Sequence, residues 1–183
     1  MSPRWVFYTA TTLDGYLADE HDSLDWLFVQ PIDEDGPMGY KAFIADIGAL
    51  VMGATTYRWL VEHSEAADEP WPYDIPAFVF THGEPRVAAD SITVLGGSPL
   101  EHRERIEAAA AGKDVWVVGG GDLAAQFATD GMLDEIIVSI APVTLGAGRP
   151  LFTRPFDLEL VELERNQAFA CARYRVVGPR PAG

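Results

Sequence analysis

Apolar positions along the chain follow two periods, and each period predicts a type of secondary structure. Continuous or alternating apolar runs rich in aromatic and β-branched residues indicate strands, and apolar residues three or four positions apart indicate helices. Residues 19–37 are acidic and contain Pro and Gly, which predicts a loop with Trp26 as its apolar anchor. The predicted strands cover 4–11, 49–52, 77–81, 92–95, 114–118, 135–143, 158–165 and 169–177, and the predicted helices cover 38–47, 55–63, 100–111 and a segment that opens at the glycines 119–121 and runs through Phe127.

The order of these elements predicts the fold class. Strands alternate with helices through most of the chain, which is typical of an α/β fold with a mostly parallel central sheet and helices on both faces. The last two strands, joined by a predicted turn at Asn166-Gln167, form a C-terminal antiparallel hairpin. No repeat or long linker divides the sequence, so residues 1–183 are predicted to form a single domain.

The composition and net charge of the chain exclude several classes of binding partner. The chain has 48% hydrophobic and 22% charged residues, and no apolar run approaches the ~20 residues that span a bilayer. Because 13 Lys and Arg oppose 28 Asp and Glu, the formal net charge is −15, and such a surface repels phosphate backbones and anionic lipids. The single cysteine, Cys171, excludes an internal disulfide, and the four histidines lack metal-ligand spacing. We therefore expect a cytoplasmic protein without nucleic-acid, membrane or metal partners.

The clearest candidate for ligand binding is Gly119-Gly120-Gly121, where a buried strand passes into a helix. Since glycine lacks a Cβ, a ligand can approach the backbone there, and the first N–H groups of the helix favour an anion such as a pyrophosphate. A tight turn that needs small residues for packing explains the triplet equally well. The spacing does not match the G-x-G-x-x-G dinucleotide fingerprint.

A second junction has the same layout, with Gly53 at the end of a strand and Thr55 and Thr56 in the first turn of a helix. The commoner role of such threonines is to cap the helix. In a parallel sheet both junctions lie at the carboxyl edge, where α/β proteins bind ligands. Together they could hold the two phosphates of a dinucleotide.

Five segments of the chain match, in order and spacing, segments of one known superfamily. They are TATTLDGYLA (9–18), Asp25-Trp26-Leu27, VMGATTY (51–57), VVGGGDLAAQF (117–127) and LDEIIVSIAPVTLGAGRPLF (133–152). On these segments the chain resembles the dihydrofolate reductase-like superfamily, and most closely the reductase half of the bifunctional riboflavin-biosynthesis deaminase–reductase. The H-x-E and P-C-x-x-C motif of zinc deaminases is absent from the sequence, so we expect a stand-alone reductase-like domain.

The resemblance implies a cofactor and the residues that hold it. A reduced nicotinamide dinucleotide, NADPH or alternatively NADH, is expected to lie across the carboxyl edge of the sheet and to pass a hydride to a planar heterocycle. The implied cofactor contacts are Gly119, Gly120, Gly121, Asp122 and Leu123 at the pyrophosphate and nicotinamide ribose, Gly53, Thr55 and Thr56 at the phosphates, Ala10 and Leu17 at the nicotinamide, and Thr81 at the adenosine ribose.

Three residues are the candidate substrate contacts, and each has a structural alternative. Ser139 matches a hydroxyl that touches substrate in the superfamily, or it is an ordinary strand residue. Trp26 walls the substrate pocket or only anchors its loop. Asp14, at the end of the first strand, contacts substrate or forms a turn with Gly15.

Other substrate contacts are expected from loops, because loops supply them in the superfamily. The segments 19–37 and 64–76 are the predicted loops for this role. Arg149 is the candidate partner for a substrate phosphate, or else a surface charge. No catalytic residue is assigned.

Two departures from the superfamily pattern bear on its chemistry. Relatives that prefer the 2′-phosphate of NADPH commonly carry a basic residue where this chain has Ala54, and His82 or Arg86 is the candidate substitute. Dihydrofolate reductases keep a carboxylate on their first helix, but the matching position here falls at 37–38, with Asp and Glu only at 33–35. The second departure counts against dihydrofolate reduction.

The leading function is an NAD(P)H-dependent reductase of a small heterocyclic or carbonyl substrate, resembling 5-amino-6-(5-phosphoribosylamino)uracil reductase. The alternatives are a dihydrofolate or other pterin reductase, and a dinucleotide-binding dimer module without turnover. A homodimer built through the C-terminal half is also predicted, since the resemblance implies pairing through this part of the sheet. The terminal strands support it with an apolar face, which a second copy or the domain's own helices would cover, and a face charged by Glu159, Glu162, Glu164, Arg173 and Arg175.

Overall fold

The computed structural model describes residues 2–181, and most elements lie where the apolar periods predict them. Within these residues the strands are β1 (Trp5–Thr12), β2 (Tyr16–Ala18), β3 (Ile47–Gly53), β4 (Ala77–Phe80), β5 (Ile92–Leu95), β6 (Asp114–Gly119), β7 (Glu135–Ala141), β8 (Arg149–Pro150), β9 (Phe156–Asn166) and β10 (Phe169–Pro179), and the α-helices are α1 (Asp25–Phe28), α2 (Tyr40–Ala45), α3 (Ala54–Ala66), α4 (Arg103–Ala109) and α5 (Gly121–Thr129).

Eight of the strands form one sheet in the order β5-β4-β3-β6-β1-β7-β10-β9. The six strands from β5 to β7 run parallel to one another, whereas β10 pairs antiparallel with both β7 and β9. The α/β class, the mostly parallel sheet and the closing hairpin are therefore confirmed. β2 and β8 form a separate antiparallel ribbon, which was not predicted because β8 is only two residues long.

Apolar side chains alternate between the two faces of the sheet, and helices cover both faces. On one face Val117 packs in a cluster with Ile106 of α4 and Phe127 of α5. On the other face its neighbour Trp116 packs in a cluster with Tyr57 of α3. Successive residues of β6 thus point into different cores, as expected of a strand that is buried on both sides.

A third, smaller cluster lies beside β7 and β10. Trp26 of α1 is 8% exposed and packs there with Ala141, Phe169 and Cys171. Trp26 is therefore an apolar anchor as predicted, although the segment 19–37 is not all loop, because α1 lies within it.

The helix predicted over 100–111 begins one residue earlier and has two parts. A 3-10 turn at Pro99–His102 comes first and α4 follows it. Ser98 and Glu101 form a capping box at its start. α4 ends at Ala109, earlier than predicted, and Ala111 just after its cap has a φ of 52°.

The hairpin turn lies at Gln167 and Ala168, one residue later than predicted. Asn166 stays in β9 because its side chain is buried against an earlier loop. Its Oδ1 accepts a hydrogen bond from the backbone N–H of Asp33 (2.9 Å), and its Nδ2 donates to the carbonyls of Asp33 (2.8 Å) and Pro37 (3.2 Å). These three bonds join the tip of the hairpin to that loop.

The outer strand of the hairpin presents an exposed row of leucines. Leu158, Leu160 and Leu163, here called the leucine row, pair with β10 residues that pack against the α5 side of the core. They are 42%, 53% and 62% exposed, so the chain's own described helices leave them uncovered. The opposite face of the hairpin is charged, for example where Arg173 Nε lies 3.2 Å from Glu162 Oε2. The predicted division into an apolar and a charged face is confirmed.

Candidate functional site

The two glycine-to-helix junctions lie side by side at the carboxyl edge of the sheet. β3 and β6 are parallel neighbours, with Met52 opposite Gly119. A Cβ built on Gly119 would lie 3.0 Å from Thr56 Oγ1 in α3, and one built on Gly53 would lie 3.9 Å from Leu123 Cδ2 in α5. Each glycine therefore faces the first turn of the other junction's helix, as the parallel topology predicts.

Both helices begin without a side-chain cap. Gly53 precedes α3 with an extended backbone (φ −84°, ψ 168°), and Gly120 precedes α5 with φ 93°. Thr55 and Thr56 lie inside the first turn of α3, so the interpretation that they cap this helix is wrong. The first N–H groups of a helix lack partners within it, and two such ends at one edge favour an anion.

The three consecutive glycines meet three different requirements. Gly119 gives room to Thr56, and Gly120 has a positive φ that side chains rarely adopt. A Cβ on Gly121 would lie 2.2 Å from the carbonyl oxygen of Pro150, so this residue is glycine because a backbone packs against it. The packing interpretation of the triplet is thus confirmed at Gly121, and the ligand contacts of all three glycines stay predictions.

The other predicted cofactor residues on strands surround the same edge. Ala10 is half-buried near the end of β1, opposite Ser139 of β7. Leu17 of β2 packs against the core on the α5 side. Thr81 directly follows β4, where its N–H donates to the Leu95 carbonyl (3.0 Å). Ala10 and Leu17 are both apolar, and they pack in different clusters of the protein.

Asp122 and Leu123 occupy the first turn of α5 in different ways. Asp122 is exposed, and its carboxylate accepts hydrogen bonds from Gln126 Nε2 (2.8 Å) and Thr153 Oγ1 (3.1 Å). Leu123 is 8% exposed and belongs to the core. The Leu123 side chain therefore packs in the core under this edge. The Asp122 carboxylate links α5 to the segment after β8 through its hydrogen bond with Thr153.

Asp14 joins the turn after β1 to the segment after β7. Its carboxylate accepts hydrogen bonds from Thr12 Oγ1 (2.6 Å), from Gly146 N–H (2.7 Å) and from Leu145 N–H (3.1 Å). The bond from Thr12, followed by the backbone donors, holds the pKa of Asp14 below its ordinary value. Gly15 N–H donates to the Thr12 carbonyl (3.0 Å), which confirms the predicted turn. The substrate contact of Asp14 stays a prediction.

Replacing Asp14 by asparagine should lower the free energy of unfolding at neutral pH. Because the folded-state pKa of this carboxyl is lowered, its contribution is complete above the unfolded value near 3.8 and is lost as the pH falls through the folded value. Urea unfolding of the native and variant proteins at about pH 7 and about pH 3 measures the difference, which should shrink at the lower pH. Asp90→Asn, an exposed aspartate before β5, is the control. A difference that stays constant with pH would contradict the assignment.

Ser139 lies inside the sheet, on the face covered by Trp26. It is 5% exposed, and its Oγ lies 3.4 Å from Cys171 Sγ. Tyr8, on the same face of β1, donates its hydroxyl hydrogen to the Met38 carbonyl (3.0 Å), and burial raises the pKa of Tyr8 to about 12. The phenol therefore stays protonated at neutral pH, and it donates its hydrogen bond to the backbone rather than to a ligand.

The segment 64–76 leads from the end of α3 to β4, and its contact with substrate stays a prediction. α3 begins at the carboxyl end of β3, and β4 runs parallel to β3 from its first residue, Ala77. The connection between α3 and β4 must therefore return to the amino edge of the sheet.

Arg149 lies in β8, at the rim of the candidate site. Its Nε donates to Asp22 Oδ1 (2.6 Å), and this bond, with the nearby carboxylates, raises the pKa of Arg149. The pair holds the loop at 19–22 against β8. Its role toward a substrate phosphate stays a prediction.

The ribbon of β2 and β8 is a part of the site that the sequence pattern did not predict. Leu151 N–H donates to the Gly15 carbonyl (2.9 Å), and a Cβ on Gly148 would lie 2.1 Å from the Ala18 carbonyl oxygen. The ribbon therefore brings β8 against both β2 and α5. The signal was a glycine at 148, which marks a close backbone approach.

Among residues 2–181, no group of three or more His, Cys, Asp or Glu side chains could hold a metal ion. The described helices include none with the length and hydropathy needed to cross a membrane.

The amino-acid sequence is similar to a known domain family and to two uncharacterized proteins. The family model of the RibD C-terminal domain matches residues 74–174. YwjB of Bacillus subtilis (strain 168), an uncharacterized protein, is 31% identical over 153 residues, which are 83% of this chain and 84% of YwjB. YyaP of the same organism, also uncharacterized, is 27% identical over 157 residues, covering 81% of this chain and 80% of YyaP.

Solved structures agree with this placement. A protein from Shewanella sp. PV-4, provisionally named for riboflavin biosynthesis, has a TM-score of 0.78 at 25% identity, and the match covers 97% of this chain and 99% of that one. The diaminohydroxyphosphoribosylaminopyrimidine deaminase/5-amino-6-(5-phosphoribosylamino)uracil reductase of Thermotoga maritima shares the fold, with a TM-score of 0.64 at 16% identity over 96% of this chain and 57% of its own. The matched domain, the two relatives and the shared fold lead to one conclusion: the chain belongs to the RibD C-terminal domain family.

Proposed function

We propose that this chain is a reductase that uses a reduced nicotinamide dinucleotide to reduce a small planar heterocycle or a carbonyl compound. The observation that carries the proposal is the contact between the two junctions, where Gly119 lies against Thr56 and Gly53 lies against Leu123. Two uncapped helix ends at one sheet edge suit the two phosphates of a dinucleotide. Membership of a reductase-like family supports the same assignment.

The backbone at Gly53 leaves room for such a cofactor. Gly53 is half-exposed, and the space its Cβ would occupy is empty apart from Leu123 Cδ2 at 3.9 Å. The backbone there is open to a phosphate. N–H groups in the first turns of α3 and α5 would hold the phosphates, and Ala10 and Leu17 would border the nicotinamide.

The protein's contribution to the reaction is chiefly orientation. When bound, the reduced nicotinamide supplies the hydride, so few catalytic side chains are required. Ala10 and Leu17 would border one ring, and Trp26 and Ser139 would border the other. Holding two rings in contact is itself a large share of the rate enhancement.

A dihydrofolate or pterin reductase is less well supported by the site. α2, the first full helix after β1, contains no Asp or Glu. Of the upstream carboxylates, Asp35 is exposed and pairs with Lys41 Nζ at 2.5 Å. No acid is therefore held on this helix to protonate a pterin.

Two measurements test the proposal and separate its alternatives. Fluorescence titration with NADPH and NADH measures binding, and loss of absorbance of the reduced nicotinamide with a panel of pyrimidines, carbonyl compounds and pterins measures turnover. Oxidation by a pyrimidine or carbonyl compound supports the proposal, whereas oxidation by dihydrofolate favours a pterin reductase. Binding without oxidation by any compound indicates a dinucleotide-binding module, and absence of binding would refute the assignment.

Replacing Ala54 by arginine should shift cofactor preference toward NADPH by roughly tenfold, because guanidinium–phosphate hydrogen bonds are charge-assisted. Ala54 is exposed at the first position of α3. Ala54→Gln, of similar length without charge, is the control. The measurement is the ratio of the two Kd values, and an unchanged ratio in Ala54→Arg would contradict the prediction.

If the native protein already prefers NADPH strongly, another cation supplies the contact. The Arg86 guanidinium is paired with Glu65, near the far end of α3, whereas His82 directly follows Thr81 at the carboxyl edge. His82 is therefore the first of the two to replace.

We also propose that the protein is a homodimer that pairs through the leucine row. Monomers rarely leave contiguous apolar patches in water, and an uncovered edge strand such as β9 invites a partner. Two-fold pairing is the commonest arrangement of identical chains, and it would place each row against its copy.

A further inference from the structure

A groove lies between the tip of the C-terminal hairpin and the loop that follows α1. It has a volume of about 470 Å³ and is lined by Pro31, Arg165, Gln167 and Ala168. The Ala168 N–H donates a hydrogen bond to the Pro31 carbonyl (3.3 Å), so a backbone contact joins the two sides of the groove. None of the residues predicted to contact the cofactor lines it, and the groove is therefore separate from the glycine-to-helix junctions.

The hairpin tip holds a fixed shape in which the groove is already formed. Gln167 has a φ of 51°, in the left-handed region that non-glycine residues rarely adopt. Such a conformation persists only where the surrounding structure imposes it. Here three hydrogen bonds hold Asn166 on one side of Gln167, and the bond to Pro31 holds Ala168 on the other. A preformed groove binds a ligand without the entropic cost of ordering a loop.

Arg165 gives the groove a positive charge that no described carboxylate pairs with. Its Nε donates to the Gln167 carbonyl (2.9 Å), which holds the guanidinium across the tip. Within residues 2–181 it forms no ion pair and no further hydrogen bond, so its two Nη atoms are free to donate a forked pair to an anion. Arg149, by contrast, is already paired with Asp22.

The loop side of the groove is apolar and faces water. Pro31 lines the groove, and its neighbours in the chain, Val29 and Ile32, are 76% and 44% exposed. On the hairpin side, Ala168 packs against the cluster that contains Trp26. Exposed apolar side chains beside a fixed charge suit a molecule with an apolar body and a charged head.

We propose that the groove at the hairpin tip binds a small molecule with an apolar body and an anionic head, which Arg165 holds through bidentate hydrogen bonds. The head is a carboxylate or a phosphate, since both match the fork of a guanidinium. The apolar body lies against Pro31 and Ala168. This binding does not depend on the proposed reductase function.

Titration of the ¹⁵N-labelled protein without NADPH tests the site, with the backbone amide resonances of Gln167 and Ala168 as reporters. The probes are benzoate and phenyl phosphate, which carry the two anionic heads on the same ring, and benzamide is the neutral comparison. Arg165→Gln removes the charge, and Arg165→Lys keeps the charge without the fork. Arg58→Gln is the matched control, because Arg58 is also exposed and forms no ion pair among the described residues, but does not line the groove.

We expect at least one of the two anions to shift both resonances to saturation, and benzamide to leave them in place. The Kd of that anion should rise roughly tenfold in Arg165→Gln, rise less in Arg165→Lys and stay unchanged in Arg58→Gln. The anion with the lower Kd identifies the head group that the groove takes.

Failure of both anions to shift these resonances would overturn the inference, as would an unchanged Kd in Arg165→Gln. Equal shifts with benzamide and benzoate would indicate an apolar contact without an anion site, and would overturn it as well. Shifts confined to amides in the first turns of α3 and α5 would support the proposed dinucleotide site and refute the groove.

Discussion

Replacing Gly53 by valine is expected to weaken NADPH binding about a hundredfold, or ~3 kcal/mol, while the fold is retained. The backbone at Gly53 has φ −84° and ψ 168°, which any residue adopts, and an added Cβ meets only Leu123 Cδ2 at 3.9 Å. The new side chain would instead occupy the space where a phosphate must approach the first N–H groups of α3. Fluorescence titration gives the Kd, and circular dichroism reports the fold.

Gly178→Val is the control, because a Cβ at Gly178 in β10 meets no atom within 4 Å. The other junction offers no equally clean substitution: Gly120 has φ 93°, and a Cβ on Gly121 would lie 2.2 Å from a carbonyl oxygen. A folded Gly53→Val variant with native affinity for NADPH would place the cofactor elsewhere.

Replacing Leu160 by glutamate is expected to convert the proposed homodimer to a monomer. Leu160 is the middle member of the leucine row and is 53% exposed, so the change does not disturb the core of one chain. Two-fold symmetry would bring two new carboxylates together, in chains that each carry a formal charge of −15. Such like-charge contacts should raise the dimer Kd by a hundredfold or more, about 3 kcal/mol.

Light scattering at micromolar concentration measures this effect. The native protein should show twice the 20.0 kDa of one chain, and Leu160→Glu should show 20.0 kDa. Val87→Glu changes an equally exposed apolar residue, at 52%, in a loop outside the hairpin, and it should remain dimeric. A native mass of 20.0 kDa would disprove the pairing and favour a monomeric pterin reductase.

Most of the sheet could be predicted because burial on both faces leaves a strong signal. The continuous apolar run that ends at Val118 predicts β6, and the alternation around Glu162 and Arg173 predicts the hairpin. The predictions that were wrong concern contacts between residues distant in sequence. The position of the hairpin turn follows from Asn166, whose partners at 33–37 lie about 130 positions earlier.

The candidate site was predictable only as far as topology determines it. That Gly53 and Gly119 meet follows from parallel strands, and the structure confirms it. The need for glycine at 121 comes from the backbone of Pro150, and the role of Asp14 comes from N–H groups 131 and 132 positions later. Neither contact leaves a local pattern in the sequence.

The bonds between Asn166 and the 33–37 loop also limit how parts of this domain can be exchanged between relatives. A chimera that takes the loop from YwjB but keeps the hairpin tip would have to reproduce three hydrogen bonds across a new boundary. If it did not, a buried amide would be left unpaired, at roughly 1–3 kcal/mol for each group. The loop at 33–37 and the hairpin tip should therefore be exchanged together. Recombination points that separate them should yield fewer folded proteins than points that keep them in one segment.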